Sequence, residues 1–356
     1  MTFSETIFLT GFPGFIAGRL VRRLAADGAR FLLLVQPAFA ERARAELEEI
    51  ARETGAGAAR LRIIEGDISR ERLGMSPEDF ETARSETTAV FHLAAIYDLA
   101  VAREPAVRVN VEGTRNVCAF ARAVKRLRRF HHVSTCYVAG LRTGLIREDE
   151  LRHDAGFRNF YEETKYLSEI EVDALKTELP VTIHRPAVVC GDSGTGETAK
   201  YDGVYYLINY LRMRPKLLSL ANIGNRDVRL NVVPVDFVVE AMAALARDDR
   251  AIGATVQIAD PAPLTTYELF ETIAQTLAHR GSFVTVPPLL VQKSLALAVS
   301  EKLTGLPRAG APYFFIRQTY DTARARTLLE PHGLRCPAFP TYVNALIDFV
   351  EKHPTL

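Results

Sequence analysis

The first half of this chain alternates short apolar runs with longer amphipathic segments, and this alternation constrains the fold more than any other feature. Strands that are buried on both faces and alternate with helices form parallel βαβ units. The sequence therefore predicts an α/β fold built on a doubly wound parallel sheet. Its strands are expected at TIFLT (6–10), RFLLLVQ (30–36), LRIIEGD (61–67), AVFHLAA (89–95), RFHHVST (129–135) and VTIHRPAVV (181–189).

The regular alternation of apolar strand runs and amphipathic helical segments ends after Pro186. A polar, glycine-rich loop covers 191–203, and most of the chain beyond it has helical patterns with prolines at the joints. Residues 229–246 have the pattern of a short strand followed by a helix, and residues 254–260 have the pattern of one more strand. We expect a sheet domain over residues 1–190, completed by a strand from 229–260, and a smaller, mostly helical substrate-binding part over residues 191–356.

Charge and cysteine usage exclude several classes of function. The chain carries 44 basic and 43 acidic side chains, a net charge of +1, which argues against nucleic acid and anionic membranes as partners. It has no stretch of about 20 nearly uncharged residues, so we expect no transmembrane segment. The four cysteines lack the spacing of a metal site. With no signal-peptide pattern at the start, the expected location is cytoplasmic.

A glycine motif, LTGFPGFIAG (9–18), lies at the turn between the first strand and the first helix. Gly11 permits a tight turn, Gly14 lets backbone amides approach a pyrophosphate, and Ala17 is small enough for the helix to pack on the strand. The helix start adds free N–H groups and a positive dipole end. The motif predicts a dinucleotide site, and the alternative is a glycine turn without a ligand. Expected cofactor contacts are Thr10, Gly11, Phe12, Pro13, Gly14, Phe15 and Ile16.

The end of the second strand bears on the choice of cofactor. A carboxylate about 20 residues after the glycine motif usually binds the ribose 2′-hydroxyl of NAD(H). Here the strand ends in Gln36, and a glutamine tolerates a 2′-phosphate. Arg42 and Arg44 follow closely enough to supply positive charge. The pattern favours NADP(H) over NAD(H), which stays possible because both arginines could be solvated helix residues.

The segment YEETK places Tyr161 and Lys165 four positions apart, on one face of a predicted helix. An ammonium near a phenol lowers the phenol pKa and eases proton transfer. Ser134 and Thr135 end the fifth strand, where the carboxyl ends of a doubly wound sheet surround the ligand crevice. A hydroxyl there can orient a carbonyl that the tyrosine protonates. The alternative is that the pair belongs to an ordinary amphipathic helix.

Together these motifs resemble the extended short-chain dehydrogenase/reductase family, whose fold is a Rossmann domain with a smaller substrate-binding part. The resemblance implies that Thr135, Tyr161 and Lys165 form the catalytic triad, with Thr135 rather than Ser134 supplying the hydroxyl. It implies further cofactor contacts at Asp67 and Ile68 around the adenine, Ala94 and Ala95 beside the nicotinamide ribose, and Pro186 at the nicotinamide. Lys165 would also hold the ribose hydroxyls, Tyr161 would contact the cofactor as well, and Asn110 would fix the helix or a water. The motifs that carry it are TGFPGFIA (10–17), GDI (66–68), HLAA (92–95), NVEGTRNV (110–117), VSTCYVAG (133–140), YEETK (161–165) and RPAVV (185–189).

Within that family the chain is similar to the branch of fatty acyl-CoA reductases and thioester reductases, the male-sterility type. The similarity rests on NFYEETKYLSE (159–169), RPAVVCGDSGTGE (185–197) and NVVPVDFV (231–238). It implies NADPH-dependent reduction of a hydrophobic acyl or polyketide-type thioester, bound to CoA or to an acyl carrier protein, to an aldehyde or alcohol. Gln36 departs from the arginine that these enzymes often carry. The sequence leaves a homodimer open.

Two rival functions share the cofactor residues. One is a ketoreductase, epimerase or dehydratase that acts on a sugar nucleotide or a polyketide, and the other is a dinucleotide-binding regulator, which would have a broken triad. Apolar stretches in the second half favour a hydrophobic substrate. We expect Tyr205, Ile208 and Leu211, with leucines and valines of 287–303, to offer an apolar slot. The alternative is that they build the core of the smaller part.

Overall fold

The computed structural model of the protein describes residues 4–295 and 310–356. Strands and helices alternate along the first half in the predicted manner. The strands are β1 (Thr6–Thr10), β2 (Arg30–Val35), β3 (Leu61–Glu65), β4 (Ala89–His92), β5 (Arg129–Val133), β6 (Gly144–Ile146), β7 (Val181–Pro186), β8 (Val188–Cys190), β9 (Ala221–Asn222), β10 (Val232–Pro234), β11 (Thr255–Ile258), β12 (Val284–Thr285) and β13 (Gln318–Tyr320).

The helices begin directly after the glycine motif. They are α1 (Phe15–Ala26), α2 (Ala40–Thr54), α3 (Pro77–Glu86), α4 (Arg103–Ala106), α5 (Gly113–Ala123), α6 (Phe160–Asp173), α7 (Tyr205–Met213), α8 (Pro215–Leu218), α9 (Val235–Leu245), α10 (Thr266–Ala278), α11 (Pro288–Leu295), α12 (Ala323–Leu329) and α13 (Val343–Lys352). A π-helical segment, Val107–Glu112, joins α4 to α5. Across the described ranges, no helix is long and apolar enough to cross a membrane.

Seven parallel strands form the central sheet in the order β3-β2-β1-β4-β5-β7-β11. Alternate residues of a strand point to opposite faces, and both faces are buried here. Phe31 and Leu33 of β2 pack in a core with α1, α2 and α9, whereas Leu32 and Leu34 pack in a second core with α3, α5 and α6. The strand order and the helices on both faces of the sheet confirm the predicted doubly wound Rossmann fold. Burial on both faces is also the reason that the strands are continuous apolar runs.

The second half contributes to both parts of the molecule. β11 pairs with β7 at the edge of the central sheet, and α9 packs against α1. The elements α7, α10 and α13 instead enclose a smaller apolar core. The expected division into residues 1–190 and 191–356, with a returning strand, stays a prediction. What matters for the site is that segments of the smaller part face the carboxyl ends of the central strands.

Candidate active site

A cavity of about 1240 Å³ lies along the carboxyl ends of the central strands. In open α/β sheets this edge is where ligands bind, at the point where the strand order reverses. Here the reversal falls between β1 and β4, the two strands that precede the glycine loop and the HLAA motif. With the exception of Asn110, the residues predicted to act in catalysis or to bind the cofactor line this cavity, namely Thr10, Gly11, Phe12, Pro13, Gly14, Phe15, Ile16, Gln36, Arg42, Asp67, Ile68, Ala94, Ala95, Thr135, Tyr161, Lys165 and Pro186.

The glycine loop is held in a form that other residues cannot adopt. Gly11 has φ +97°, in the region that favours glycine, and a Cβ there would lie 2.8 Å from the backbone nitrogen of Ala94. The Gly14 amide donates to the Gly11 carbonyl at 2.8 Å, and α1 begins at the next residue. The free N–H groups of the first turn of α1 therefore border the cavity, as an anion-binding site requires.

The two arginines after β2 differ in position. Arg42 donates from Nη2 to the Pro13 carbonyl at 2.6 Å, which keeps its guanidinium on the glycine loop. Arg44 instead pairs with Glu65 at 3.3 Å, and both side chains are more than half exposed. Arg44 is thus a solvated helix residue, and Arg42 is the arginine that lines the cavity.

Asp67 also lines the cavity, in the loop after β3. Its Oδ1 accepts hydrogen bonds from the Ser69 amide and hydroxyl, both at 2.8 Å. Burial acts to raise the pKa of this carboxyl, but the hydrogen bonds from Ser69 and Gln36 outweigh it, and the pKa is lowered. Asp67 therefore presents an ionised, fixed acceptor to the cavity at neutral pH.

Thr135, Tyr161 and Lys165 meet at the carboxyl end of β5. The Thr135 hydroxyl accepts from the Tyr137 amide at 3.2 Å and donates to the Pro186 carbonyl at 3.5 Å, and both Thr135 and Tyr161 line the cavity. Lys165 donates from Nζ to the Val133 carbonyl at 2.7 Å. α6, which carries both Tyr161 and Lys165, is capped by the Asn159 side chain. Two hydroxyl groups and an ammonium thus lie together, all three nearly buried.

The pKa values of this group correct one expectation. Burial raises the pKa of Tyr161 above its ordinary value, and the Thr135 hydroxyl only partly opposes it. Burial also lowers the pKa of Lys165 to about 8, against an opposing effect of Glu169. The prediction that Lys165 lowers the Tyr161 pKa is wrong in this structure, because burial dominates both groups and the ammonium is directed at Val133. Tyr161 is accordingly a neutral phenol at pH 7.

Ser134 and Thr135 point to different partners, as adjacent residues of an extended segment do. The Ser134 hydroxyl donates to Glu169, a carboxylate that is fully buried. Arg185 binds the same carboxylate through Nε at 2.8 Å and Nη2 at 2.5 Å. Ser134 therefore completes a buried ion pair, whereas the Thr135 hydroxyl bonds to the backbone of Pro186 and Tyr137 and takes no part in that ion pair.

Asn110 lies outside the cavity lining, in the π-helical segment. Its Oδ1 accepts from the Ile96 amide at 2.8 Å, and its Nδ2 donates to the Thr164 hydroxyl at 3.0 Å. The side chain therefore ties the loop after β4 to the first turn of α6. π-Helical segments often occur at functional sites, and this one directs the Asn110 amide inward, where it is 1% exposed.

Sequence reasoning missed the wall of the cavity that faces Tyr161. The Tyr97 ring lies edge-on to the Tyr161 ring, with centroids 5.2 Å apart. The Tyr313 hydroxyl donates to Glu162 Oε1 at 2.7 Å and accepts from Asn159 Nδ2 at 2.8 Å. Only Tyr97 had a signal, since it closely follows the HLAA motif. The other lining residues come from separate segments without a motif and include Lys200, Asp202, Tyr206, Leu230, Tyr313 and Phe314.

The expected apolar slot was wrong in its residues. Tyr205, Ile208 and Leu211 are all fully buried in the core of the smaller part, and none lines the cavity. The helix α7 turns that face inward, so its neighbour Tyr206 reaches the cavity instead. Of the second stretch, residues 296–303 lie outside the described residues, and Leu289 and Leu290 are exposed.

Comparison with known proteins finds relatives that extend over most of the chain. The family model described as male sterility protein matches residues 9–242. The non-canonical nonribosomal peptide synthetase FrzA from a Cladobotryum species is 30% identical over 97% of this chain and 36% of its own length. The fatty acyl-CoA reductase wat of Drosophila melanogaster is 25% identical over 68% of this chain and 54% of its own length.

The chain therefore spans about a third of the first relative and about half of the second. Among solved structures, the terminal R domain from the myxalamid PKS-NRPS biosynthetic pathway has a TM-score of 0.81 and 25% identity. That similarity covers 100% of this chain and 93% of the R domain, so it includes the smaller part as well as the sheet.

Proposed function

Because the chain belongs to the male sterility protein family, within the extended short-chain dehydrogenases/reductases, and is thus a nicotinamide-dependent oxidoreductase, we propose that it reduces the carbonyl of an acyl thioester with NADPH. One observation carries the proposal. Thr135 and Tyr161, each with a hydroxyl group, line the same cavity that the glycine loop borders. A carbonyl held by these hydroxyls would lie next to a dinucleotide held by the loop.

The residues present fit a dinucleotide. Only glycine fits at position 11, because a Cβ would collide with the backbone of Ala94, and this keeps the backbone open to a pyrophosphate. We propose that the loop amides hold the pyrophosphate, that Asp67 and Ile68 flank the adenine, and that Ala94, Ala95, Lys165 and Pro186 contact the nicotinamide riboside. When bound, the nicotinamide supplies the hydride that the reduction consumes.

Thr135 and Tyr161 would donate hydrogen bonds to the carbonyl oxygen of the substrate. Such bonds strengthen as negative charge grows on the oxygen, so they stabilise the transition state more than the bound substrate. The raised pKa of Tyr161 keeps its proton in place at pH 7, ready for transfer to that oxygen. Lys165, with a pKa of about 8, carries a positive charge in the same cavity below that pH.

NADPH is the proposed form of the cofactor. No carboxylate follows β2 at Gln36, and Arg42 is fixed on the glycine loop by its bond to Pro13. An arginine in that place can bind a 2′-phosphate. Arg42→Gln should lower kcat/KM for NADPH several-fold and leave kcat/KM for NADH nearly unchanged, and the exposed Arg44→Gln is the matched control. Equal losses with both cofactors would contradict the assignment.

The substrate class rests on the wall opposite the glycine loop. Tyr97, Tyr206, Leu230 and Phe314 give that wall a mainly apolar and aromatic surface, to which Lys200 and Asp202 add one charge of each sign. A sugar nucleotide calls for more hydrogen-bonding and cationic groups than this wall offers, whereas an acyl chain gains about 0.8 kcal/mol for each buried CH₂. Relatives named as a fatty acyl-CoA reductase and a terminal R domain support a thioester. The carrier is CoA or a carrier protein.

A panel of substrates tests the proposal. The purified protein is incubated with NADPH and with acyl-CoAs of increasing length, simple ketones and sugar nucleotides, and NADPH oxidation and aldehyde or alcohol are measured. We expect turnover of acyl-CoAs, with kcat/KM that rises with length until the cavity is full. Turnover of ketones or sugar nucleotides without any turnover of thioesters would refute the thioester assignment.

A further inference from the structure

A continuous chain of buried hydrogen bonds runs from the glycine loop to α6. Thr10 Oγ1 lies 2.8 Å from His92 Nδ1, and His92 Nε2 lies 2.9 Å from Thr114 Oγ1. Thr114 Oγ1 lies 2.6 Å from the Asn110 carbonyl, and Asn110 Nδ2 lies 3.0 Å from Thr164 Oγ1. All five side chains are at most 1% exposed. These hydrogen bonds thus connect four segments that border the cavity.

The hydrogen-bonding groups fix the direction of each bond. A carbonyl cannot donate, so the one hydroxyl proton of Thr114 points to Asn110. Thr114 Oγ1 must then accept a proton from His92 Nε2, which makes His92 the neutral Nε2–H tautomer. His92 Nδ1 is left as an acceptor, so Thr10 donates to it, and Thr10 Oγ1 accepts in turn from the Ala94 amide at 3.2 Å.

We propose that His92 is a positioning residue that holds the glycine loop and α6 through its two ring nitrogens, each with a separate task. Nδ1 fixes Thr10, which starts the glycine loop and also anchors Ala94. Nε2 fixes Thr114 and, through Asn110 and Thr164, the first turn of α6 that carries Tyr161. This inference rests on the proposed function, in which the loop binds the cofactor and Tyr161 protonates the substrate.

The neutral form of His92 is part of this arrangement. A second ring proton would place an N–H group against the Thr10 hydroxyl, and Thr10 would have to turn its proton away from Nδ1. Burial lowers the pKa of His92 to about 3, and the charge of Lys165 acts in the same direction. His92 therefore keeps one proton throughout the pH range in which the enzyme is assayed, and the direction of these hydrogen bonds does not change.

Two substitutions separate the two ends. In His92→Asn the side-chain oxygen can occupy the place of Nδ1, whereas in His92→Gln the side-chain nitrogen can occupy the place of Nε2. We expect His92→Asn to keep the equilibrium Kd for NADPH within about twofold of wild type and to lower kcat about fivefold or more. His92→Gln should raise that Kd about fivefold and leave kcat within about twofold. Nicotinamide fluorescence gives the Kd, and steady-state assays at saturation give kcat.

A matched control is His184→Asn, which removes a buried histidine that bonds to His131 at 2.9 Å and takes no part in the chain. It should alter neither Kd nor kcat beyond the change expected from lower stability. The tautomer is tested in wild type by ¹⁵N NMR of the imidazole rings, with the His92 signal identified by its loss in both variants. An Nδ1–H or doubly protonated His92 would overturn the proposal.

If both His92 variants fail to fold, Thr10→Val and Thr114→Val remove the two partners one at a time. Thr10→Val should then affect mainly the NADPH Kd, and Thr114→Val mainly kcat. Equal effects at the two ends, in either pair of variants, would show that His92 is only a core residue. A wild-type protein that neither binds NADPH nor reduces any thioester would instead refute the proposed function, while the NMR result would still decide the tautomer.

Discussion

The two ends of the cavity are built in different ways. The cofactor end, formed by Thr10–Ile16, Asp67 and Ala94, relies on backbone geometry and short, buried hydrogen bonds. The proposed substrate end, formed by Tyr97, Lys200, Asp202, Tyr206, Leu230 and Tyr313–Phe314, relies on side chains from four separate segments. A change at the cofactor end should therefore weaken or abolish NADPH binding, whereas a change at the substrate end should alter which acyl group binds. Tyr161 lies where the two ends meet.

The largest expected effect belongs to that meeting point. Tyr161→Phe removes the phenolic proton and keeps the ring that packs against Tyr97. We expect kcat to fall about 10²- to 10⁴-fold, since this is the usual contribution of a positioned acid. The Kd for NADPH, measured by fluorescence, should stay within about twofold of wild type, because the glycine loop and Asp67 at the cofactor end are unchanged. A variant with near wild-type kcat would show that another group protonates the substrate.

A change confined to the cofactor end is expected to be next in size. Gly11→Ala forces a Cβ into a backbone with φ +97° and to 2.8 Å from Ala94 N. Backbone strain and overpacking together should cost about 3 kcal/mol of unfolding free energy, measured by urea denaturation. NADPH binding should weaken at least tenfold. Gly57→Ala, where nothing lies within 4 Å of the added Cβ, is the control, and a similar loss there would mean that glycine content alone matters.

The cofactor end was largely predictable from the sequence. Its requirements are local, because a tight turn and a helix start need particular residues within ten positions, and Gly11, Gly14 and Ala17 satisfy them. The central strands were also predicted closely, since burial on both faces makes each one a continuous apolar run. β4 ends at His92 rather than at Ala95, because the last three residues of the run leave the sheet to line the cavity.

The substrate end was not predictable for the opposite reason. The bond between Tyr313 and Glu162 joins residues 151 positions apart, and no local pattern marks Tyr313. The apolar pattern of α7 indicated a helix face correctly but not whether that face meets the cavity or the core. Burial of Tyr161 likewise depends on tertiary contacts with segments such as Tyr97, so the direction of its pKa shift could not be read from the spacing of Tyr161 and Lys165.

A third prediction concerns the cost of placing a charge between the two ends. Lys165 has a pKa lowered from 10.5 to about 8 by burial, which corresponds to about 3 kcal/mol of lost stability at pH 7. Lys165→Met removes this cost and also the bond to Val133, worth about 1 kcal/mol. We therefore expect the protein without cofactor to become about 2 kcal/mol more stable at pH 7, although it should lose activity.

The sign of the pH dependence distinguishes this cause from better packing. Below pH 8 the ammonium is charged in both the folded and the unfolded wild type, so the full cost of burial is present. Between about pH 8 and 10.5 the unfolded state holds a proton that the folded state has lost, and wild-type stability rises relative to the variant. Urea denaturation at pH 7, 8 and 9 should show the advantage of Lys165→Met shrinking, and a constant advantage would exclude desolvation as its source.

The smallest expected effect is at the substrate end, where Tyr313→Phe removes the donor to Glu162 and keeps the ring in the cavity wall. Glu162 is fully buried and retains the Arg158 guanidinium at 3.3 Å, so the loss of the two hydrogen bonds of the Tyr313 hydroxyl should cost only about 1 to 2 kcal/mol of stability. We expect KM for the acyl substrate to rise about three- to tenfold, because the wall segment is held less firmly against α6. The NADPH Kd should not change, since Tyr313 contacts no part of the cofactor end.

Tyr342→Phe, in the core of the smaller part and away from the cavity, is the matched control and should leave both constants unchanged. A loss of NADPH affinity in Tyr313→Phe would mean that the two ends are mechanically coupled through α6. The two ends would then differ in the residues that build them but not in the ligand whose binding they control.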